Sequence, residues 1–330
     1  MLRTHYPPTP PNKGGKAAVE LLRSLINIFI FPGFLFLLIF SLVFEYLQRK
    51  LTARLQNRIG LPWHQPLADL LKLFGKEDLT TQGANQNIMP LLPLISLAAL
   101  CTAFIYLPIW GIQAAFNFKG DLIVVLYLLL IPTLTAFLAG WYSARPLAKA
   151  GAMRLLIQLL SFEIPLFMAL LAPALLAGSW SLSTIAAYYS ANPLLIVLNL
   201  PALAVALIAA LGKLERAPFT APGAKTEVSA NVFMEYGGRL YAFFRLSFNV
   251  ELVVICALIA AIFIPLYAGN PLLGMVLFAL RTLIILFILT FLRALTVRLK
   301  VEQMVRLCWR YLMPLALLQI IINLVVRGLL

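Results

Sequence analysis

The sequence is short of the residue types that carry most protein chemistry. Its 330 residues include three cysteines, two histidines and only 12 carboxylates. Cys101, Cys256 and Cys308 are far apart in apolar surroundings and form no CxxC pair, so they build neither a disulfide framework nor a thiolate-held cluster. His5 lies in a proline-rich tail and His64 in a polar loop, which leaves a haem within the membrane without its usual ligands. A Walker loop, GxGxxG, GxSxG and HExxH are all missing. Any redox or hydrolytic chemistry this chain serves is expected on another chain, and no cofactor or metal is expected on this one.

Charge is scarce as well. Charged residues make up 12% of the chain against 62% hydrophobic, with a mean hydropathy of +0.94, and a soluble fold cannot hide that much apolar surface. The expectation is an all-α integral membrane protein. After a Pro- and Gly-rich tail over residues 1–24, residues 25–330 read as a single polytopic membrane domain. Eight runs are long enough to cross a ~30 Å hydrocarbon core: Leu25–Tyr46, Ile88–Ile112, Leu122–Tyr142, Met153–Ala177, Leu194–Leu211, Val250–Tyr267, Leu272–Leu292 and Leu312–Val326.

The net charge of +14 would suggest nucleic acid in a soluble domain, but here it reports orientation, and no nucleic-acid partner is expected. Nineteen of the 26 basic residues fall in or just beside the links after runs one, three, five and seven, about residues 47–87, 143–152, 212–249 and 293–311, the nineteenth being Arg154 at the start of run four. That bias places those four loops in the cytoplasm and both termini outside. The first loop carries Leu51, Leu55, Ile59, Leu67, Leu70 and Leu71 between Arg54, Arg58, Asp69 and Lys72. This pattern fits amphipathic surface helices interrupted at Gly60, Pro62 and Pro66. Periodicity alone fits an anchor on the lipid bilayer equally well. The third loop is too irregular to face lipid and should be covered by partner protein.

Six acids stand out. Glu163 lies about twelve residues beyond Gly151, ~18 Å along a helix and near the bilayer midplane. Desolvation there favours the neutral carboxyl, and such a group can take up and release a proton or bond a neighbouring helix. Glu215, Glu227 and Glu235 are interleaved with Arg216, Lys225 and Arg239, Glu251 opens the sixth run, and Glu45 closes the first. Clustered acids and arginines under a membrane surface fit a proton path, a pocket for a headgroup, or a salt-bridged docking surface. Arg281, inside the seventh run, needs a counterpart.

At these same loops the chain resembles a known family. RKLTARLQNRIGLPWHQPLADLLKLFGKED (Arg49–Asp78), LLIQLLSFEIPL (Leu155–Leu166), ERAPFTAP (Glu215–Pro222), MEYGGRLYAFF (Met234–Phe244) and CWRYLMPLALL (Cys308–Leu318) resemble, in order, motifs of one family of membrane proteins. It is the family of the H subunit of respiratory complex I, the proton-pumping NADH-quinone oxidoreductase, whose mitochondrial member is NADH dehydrogenase subunit one. That family is shared with the membrane-bound group 4 nickel-iron hydrogenases and formate hydrogenlyases. The resemblance implies a non-catalytic coupling subunit in a prokaryotic inner membrane. It would anchor a peripheral redox arm and link electron transfer to proton or sodium movement.

The implied partners are antiporter-like and small spanning subunits, and hydrophilic iron–sulfur or hydrogenase-like subunits. These would carry the Fe–S clusters and a nickel-iron site or flavin, with a quinone possible at the interface. The resemblance gives Glu163 and Glu227 places in an acidic path, lined on the loop side by Glu215, Arg216 and Glu235, while Arg49, Arg54, Arg58, Asp69 and Arg239 belong to the chamber or docking loops.

Three departures lean toward the hydrogenase branch. The link from Arg58 to Pro66 is short; Gln48 stands where an acid normally precedes the Arg49–Lys50 pair; and Thr220, Gly223 and Lys225 replace acids of the quinone-type pattern. A true quinone-binding member of the family is the alternative. A stand-alone transporter would show two repeat-related halves, and none is evident; for a purely structural anchor, the intramembrane Glu163 would be an unexplained cost.

Overall fold

A computed structural model describes residues 27, 29–31, 33–78, 87–220 and 232–329, and contains no strand among them. The expected tail over 1–24, together with Lys225 and Glu227, lies outside the described residues. Twelve helices are described: α1 (Phe34–Leu55), α2 (Gln65–Phe74), α3 (Leu91–Ile105), α4 (Asp121–Trp141), α5 (Pro146–Ala177), α6 (Leu182–Ala191), α7 (Leu194–Leu198), α8 (Leu200–Lys213), α9 (Gly238–Phe263), α10 (Pro271–Leu295), α11 (Val301–Leu307) and α12 (Met313–Leu329).

Helix α9 is the axis of the bundle, with every residue from Asn249 to Phe263 buried, and it packs against α1, α2, α3 and α10. A second group forms where α5 packs on α8 and α12, and α4 joins the two through α3 and α5. Around this core α10 turns Leu272, Val276, Leu280, Phe287 and Leu295 outward, as a lipid- or protein-facing surface does.

Among the described residues, five helical segments are long and apolar enough to cross a membrane: α4, α5, α9, α10 and the continuous stretch Val301–Leu329. The remaining expected runs take other forms. Helix α1 has 22 residues but carries Glu45, Arg49, Lys50 and Arg54 in its second half, and α3 is only 15 residues long. The run read as Leu194–Leu211 is broken at Asn199 into α7 and the 14-residue α8.

Loop boundaries move for one physical reason. Long basic side chains run along an apolar helix to reach its polar end, so charge does not end a helix. Helix α9 therefore begins at Gly238, twelve residues before the expected Val250, and takes Arg239 and Arg245 into the helix. The last expected loop, 293–311, shrinks to Thr296–Lys300. The chain then continues through α11 and a π-turn, Cys308–Leu312, into α12. Pro314, two residues past that turn, has no N–H to give the turn before it. In the first loop, Leu51 and Leu55 belong to α1 itself. Only Gln65–Phe74 is a separate surface helix, and Pro66 sits in its first turn rather than breaking it.

Candidate functional site

The site begins on α1. Glu45 and Arg49 are one helical turn apart, so they share a face and ion-pair. That face meets α2 and α9. Arg49 Nη1 donates to Asp69 Oδ2 at 2.9 Å, and Arg245 Nη2 reaches both Glu45 Oε1 and Asp69 Oδ2 at 3.4 Å. Asn249 Nδ2 donates to the other Glu45 oxygen at 2.6 Å. Two carboxylates and two guanidinium groups thus close a balanced network across three helices. Burial works to raise the Asp69 pKa, but hydrogen bonds from Arg49 and Gln65 and the charges of Arg245 and Arg49 outweigh it and hold the pKa below the usual value.

A cavity of about 350 Å³ opens beside this network. Its charged lining is Glu45, Arg49, Glu215, Arg216, Arg245 and Arg293, and Leu214, Tyr241 and Phe248 supply apolar surface. Glu215 and Arg216 enter from the loop after α8, where Glu215 takes φ 51°, a left-handed conformation rare outside glycine. Burial pushes the Glu215 carboxyl up to about 7, against the charge of Arg216. Burial first, then the positive charge of Arg293, brings Arg216 down to about 10.

Behind the cavity lies a second cluster. Lys213 Nζ donates to Glu163 Oε2 at 2.7 Å, with both side chains almost wholly buried. Helices α5 and α8 come this close because Gly212 faces the Phe162 ring, where a Cβ would meet ring carbons at 2.3–2.5 Å. Gln158 secures the same junction by donating Nε2 to the Gly212 and Phe219 carbonyls. Glu251, on α9 and 2% exposed, interacts electrostatically with Lys213, Glu215, Glu163 and Arg216. One oxygen each of Glu163 and Glu251 has no hydrogen-bond partner among the described residues.

The structure therefore gathers Glu45, Arg49, Asp69, Glu215, Arg216, Glu251 and Glu163. Arg54 and Arg58 are exposed past the end of the Glu45 face. Arg239 is exposed too, its backbone N–H donating to Asp78 Oδ1 at 2.7 Å. Glu235 is not brought to the cluster: it accepts from the Ala144 N–H at 3.0 Å and pairs with Arg145 at 3.7 Å, beside the α4–α5 link. Arg281 has no acid partner among the described residues. It donates to the Pro108 carbonyl and stacks over the Tyr267 ring at 4.4 Å from the centroid.

Sequence reasoning missed four members of the site. Lys213, Arg245 and Arg293 were counted only as loop charges, and Asn249 was passed over. The four-residue spacing of Arg245 and Asn249 on one helix face was a usable signal. No group of three or more potential metal ligands occurs among the described residues. The cavity offers donors for quinone carbonyls in Tyr241 and Arg49. Even so, with Arg49 and Arg245 balanced by Glu45 and Asp69, Arg216 and Arg293 face Glu215 alone and leave positive charge that a neutral quinone ring does not balance, so the lining fits a quinone poorly.

The family model described as NADH dehydrogenase matches residues 27–324. The H subunit of NADH-quinone oxidoreductase from Geobacillus kaustophilus strain HTA426 is 33% identical over 301 residues, covering 85% of this chain and 87% of that one. The protein of the same name from Bacillus thuringiensis subsp. konkukian strain 97-27 is 32% identical over 327 residues, covering 93% and 96%. The chain belongs to the NADH dehydrogenase family. A chain of the membrane-bound sulfane sulfur reductase, an archaeal respiratory membrane complex, shares its fold with a TM-score of 0.79 at 26% identity, over 92% of this chain and 99% of that one. This member of the family is a membrane subunit of a complex I-like enzyme.

Proposed function

We propose that the chain is the coupling and docking subunit of that enzyme, with eight spans, cytoplasmic loops toward the redox arm and both termini outside. It passes the effect of electron transfer on partner subunits into ion movement through the membrane. The observation that carries this reading is the continuity of charge: the Glu45 network, Arg216 and Glu215 on the cavity wall, then Glu251, Lys213 and Glu163 inside the bundle. Buried ionisable groups at membrane depth are costly and are kept where they serve ion or proton traffic. Glu163, Glu215 and Glu251 are the proton-handling groups, and Lys213 is the counter-ion that orients Glu163. Glu227 belongs to the same path by resemblance alone.

The docking face comprises the end of α1, with Arg54, the loop from α1 to α2, with Arg58, and the start of α9, with Arg239. Iron–sulfur, nickel-iron or flavin centres are assigned to the hydrophilic partners, and antiporter-like and small subunits to the membrane. The net positive cavity supports the branch in which electrons do not end on a quinone in this chamber. The names of the two bacterial relatives support the other reading, a quinone reductase. Turnover of the purified complex with a short-chain quinone separates the two.

The coupling role is tested by Glu163→Gln in the intact complex reconstituted into vesicles. Assembly and electron transfer should survive while ion transport per turnover falls. Unchanged transport overturns the proposal.

A further inference from the structure

The cavity wall is not electrically closed. Glu45 and Asp69 are committed to Arg49 and Arg245 in the balanced network, and Asn249 occupies the remaining Glu45 oxygen. This leaves Arg216 and Arg293 facing the same cavity, with Glu215 as the one further carboxylate among the described residues of its wall. Neither arginine is ion-paired among the described residues. They act on each other as like charges, to the extent that Arg293 opposes the protonation of Arg216. Two guanidinium groups converging on one space present forked N–H donors matched to a tetrahedral oxyanion. Beside them Leu214, Tyr241 and Phe248 offer apolar surface for a carbon skeleton. A volume of about 350 Å³ lies within the usual ~300–1,000 Å³ span of small-ligand sites.

We infer that this cavity is a binding site for a phosphate-class oxyanion, held between Arg216 and Arg293. The anion is either free phosphate or the phosphodiester of an acidic membrane lipid whose chains leave past Phe248. It neutralises the positive charge that Arg216 and Arg293 carry beyond what Glu215 balances. The inference rests on the charges lining the cavity and stands whether or not the coupling role is correct.

The test uses the intact complex, stripped of lipid in a neutral detergent, with thermal unfolding and equilibrium binding as readouts. Three probes are added in turn: inorganic phosphate, phosphatidylglycerol in mixed micelles, and diacylglycerol, which has the same chains without the anion. Binding and stabilisation by either anionic probe but not by diacylglycerol is the expected result. Phosphate acting alone identifies a free-anion site, and phosphatidylglycerol acting much more strongly identifies a lipid site. Affinity should fall about tenfold for each guanidinium removed in Arg216→Gln and Arg293→Gln. Arg293→Lys, which keeps the charge and guards against a folding artefact, should retain part of it, and Lys149→Gln, at an exposed lysine away from the cavity, should retain all of it. Equal response to diacylglycerol, no response to any probe, or undiminished binding in a folded Arg216→Gln/Arg293→Gln complex refutes the site.

Discussion

Replacing Lys213 with methionine tests the interior of the site most directly. The side chain keeps its length and loses its charge. In the native protein Nζ is 2.7 Å from Glu163 Oε2, and the two side chains are 1% and 7% exposed, so solvent cannot substitute for the missing partner. Removing one member of such a pair typically costs ~3–5 kcal/mol, because it leaves a buried, uncompensated charge. Glu251 and Glu215 lie in the same field and add repulsion. The assay is unfolding of the intact complex at one fixed pH. It is run on the wild type, Lys213→Met, Glu163→Gln and the double variant. Lys213→Met/Glu163→Gln has no stranded charge and should recover more than half of the loss, a coupling readable as a double-mutant cycle. A double variant no better than the single one would show that the two side chains do not compensate each other.

Gly212→Val puts carbon where the Phe162 ring stands, at 2.3–2.5 Å, and should destabilise the α5–α8 contact by about 1–3 kcal/mol; Phe162→Leu in the same chain should restore part of this, as thermal unfolding would report. Glu215 has its pKa raised from 4.5 to about 7. The stability that goes with its protonated form is therefore present below about 4.5 and lost as pH rises through about 7. Glu215→Gln should flatten the stability profile across that window, and superimposable profiles would refute the assignment. Asp69→Asn removes a carboxylate whose pKa is lowered, so it should destabilise at neutral pH and have progressively less effect as acid protonates the native group. A deficit that persists unchanged in acid would disconnect Asp69 from Arg49 and Arg245.

Most of the fold was legible because membrane helices are specified by composition. Where the sequence was misread, charge was taken as a helix end. Arg239 and Arg245 lie within α9 and Arg306 within α11, because a basic side chain needs only its tip in a polar environment. The acids were identified one by one, since each is rare enough to be conspicuous, but their partners were not. Lys213 and Glu163 are 50 residues apart and meet only because Gly212 lets α8 approach α5. Glu235 shows the converse: nearness in sequence to Glu215 suggested a shared site, yet the turn into α9 carries it to Ala144 and Arg145.

The two charge clusters meet at two consecutive residues. Arg216 feels Glu45, Arg49 and Arg293 on the cavity side, and Glu251 feels both Arg216 and Glu215 from within. A unit charge change at ~4 Å is worth about 4 kcal/mol at the effective dielectric of a protein surface. Glu215 and Arg216 sit on the loop leaving α8, with Glu215 in a left-handed conformation, on the face assigned to the hydrophilic arm. A partner that shifts this loop moves a carboxyl poised near neutrality and its arginine together, in the field of Glu251. In the proposed arrangement, events in the arm would reach the membrane interior through local electrostatics, without a displacement of the bundle, and the loop after α8 is where such coupling is open to mutation.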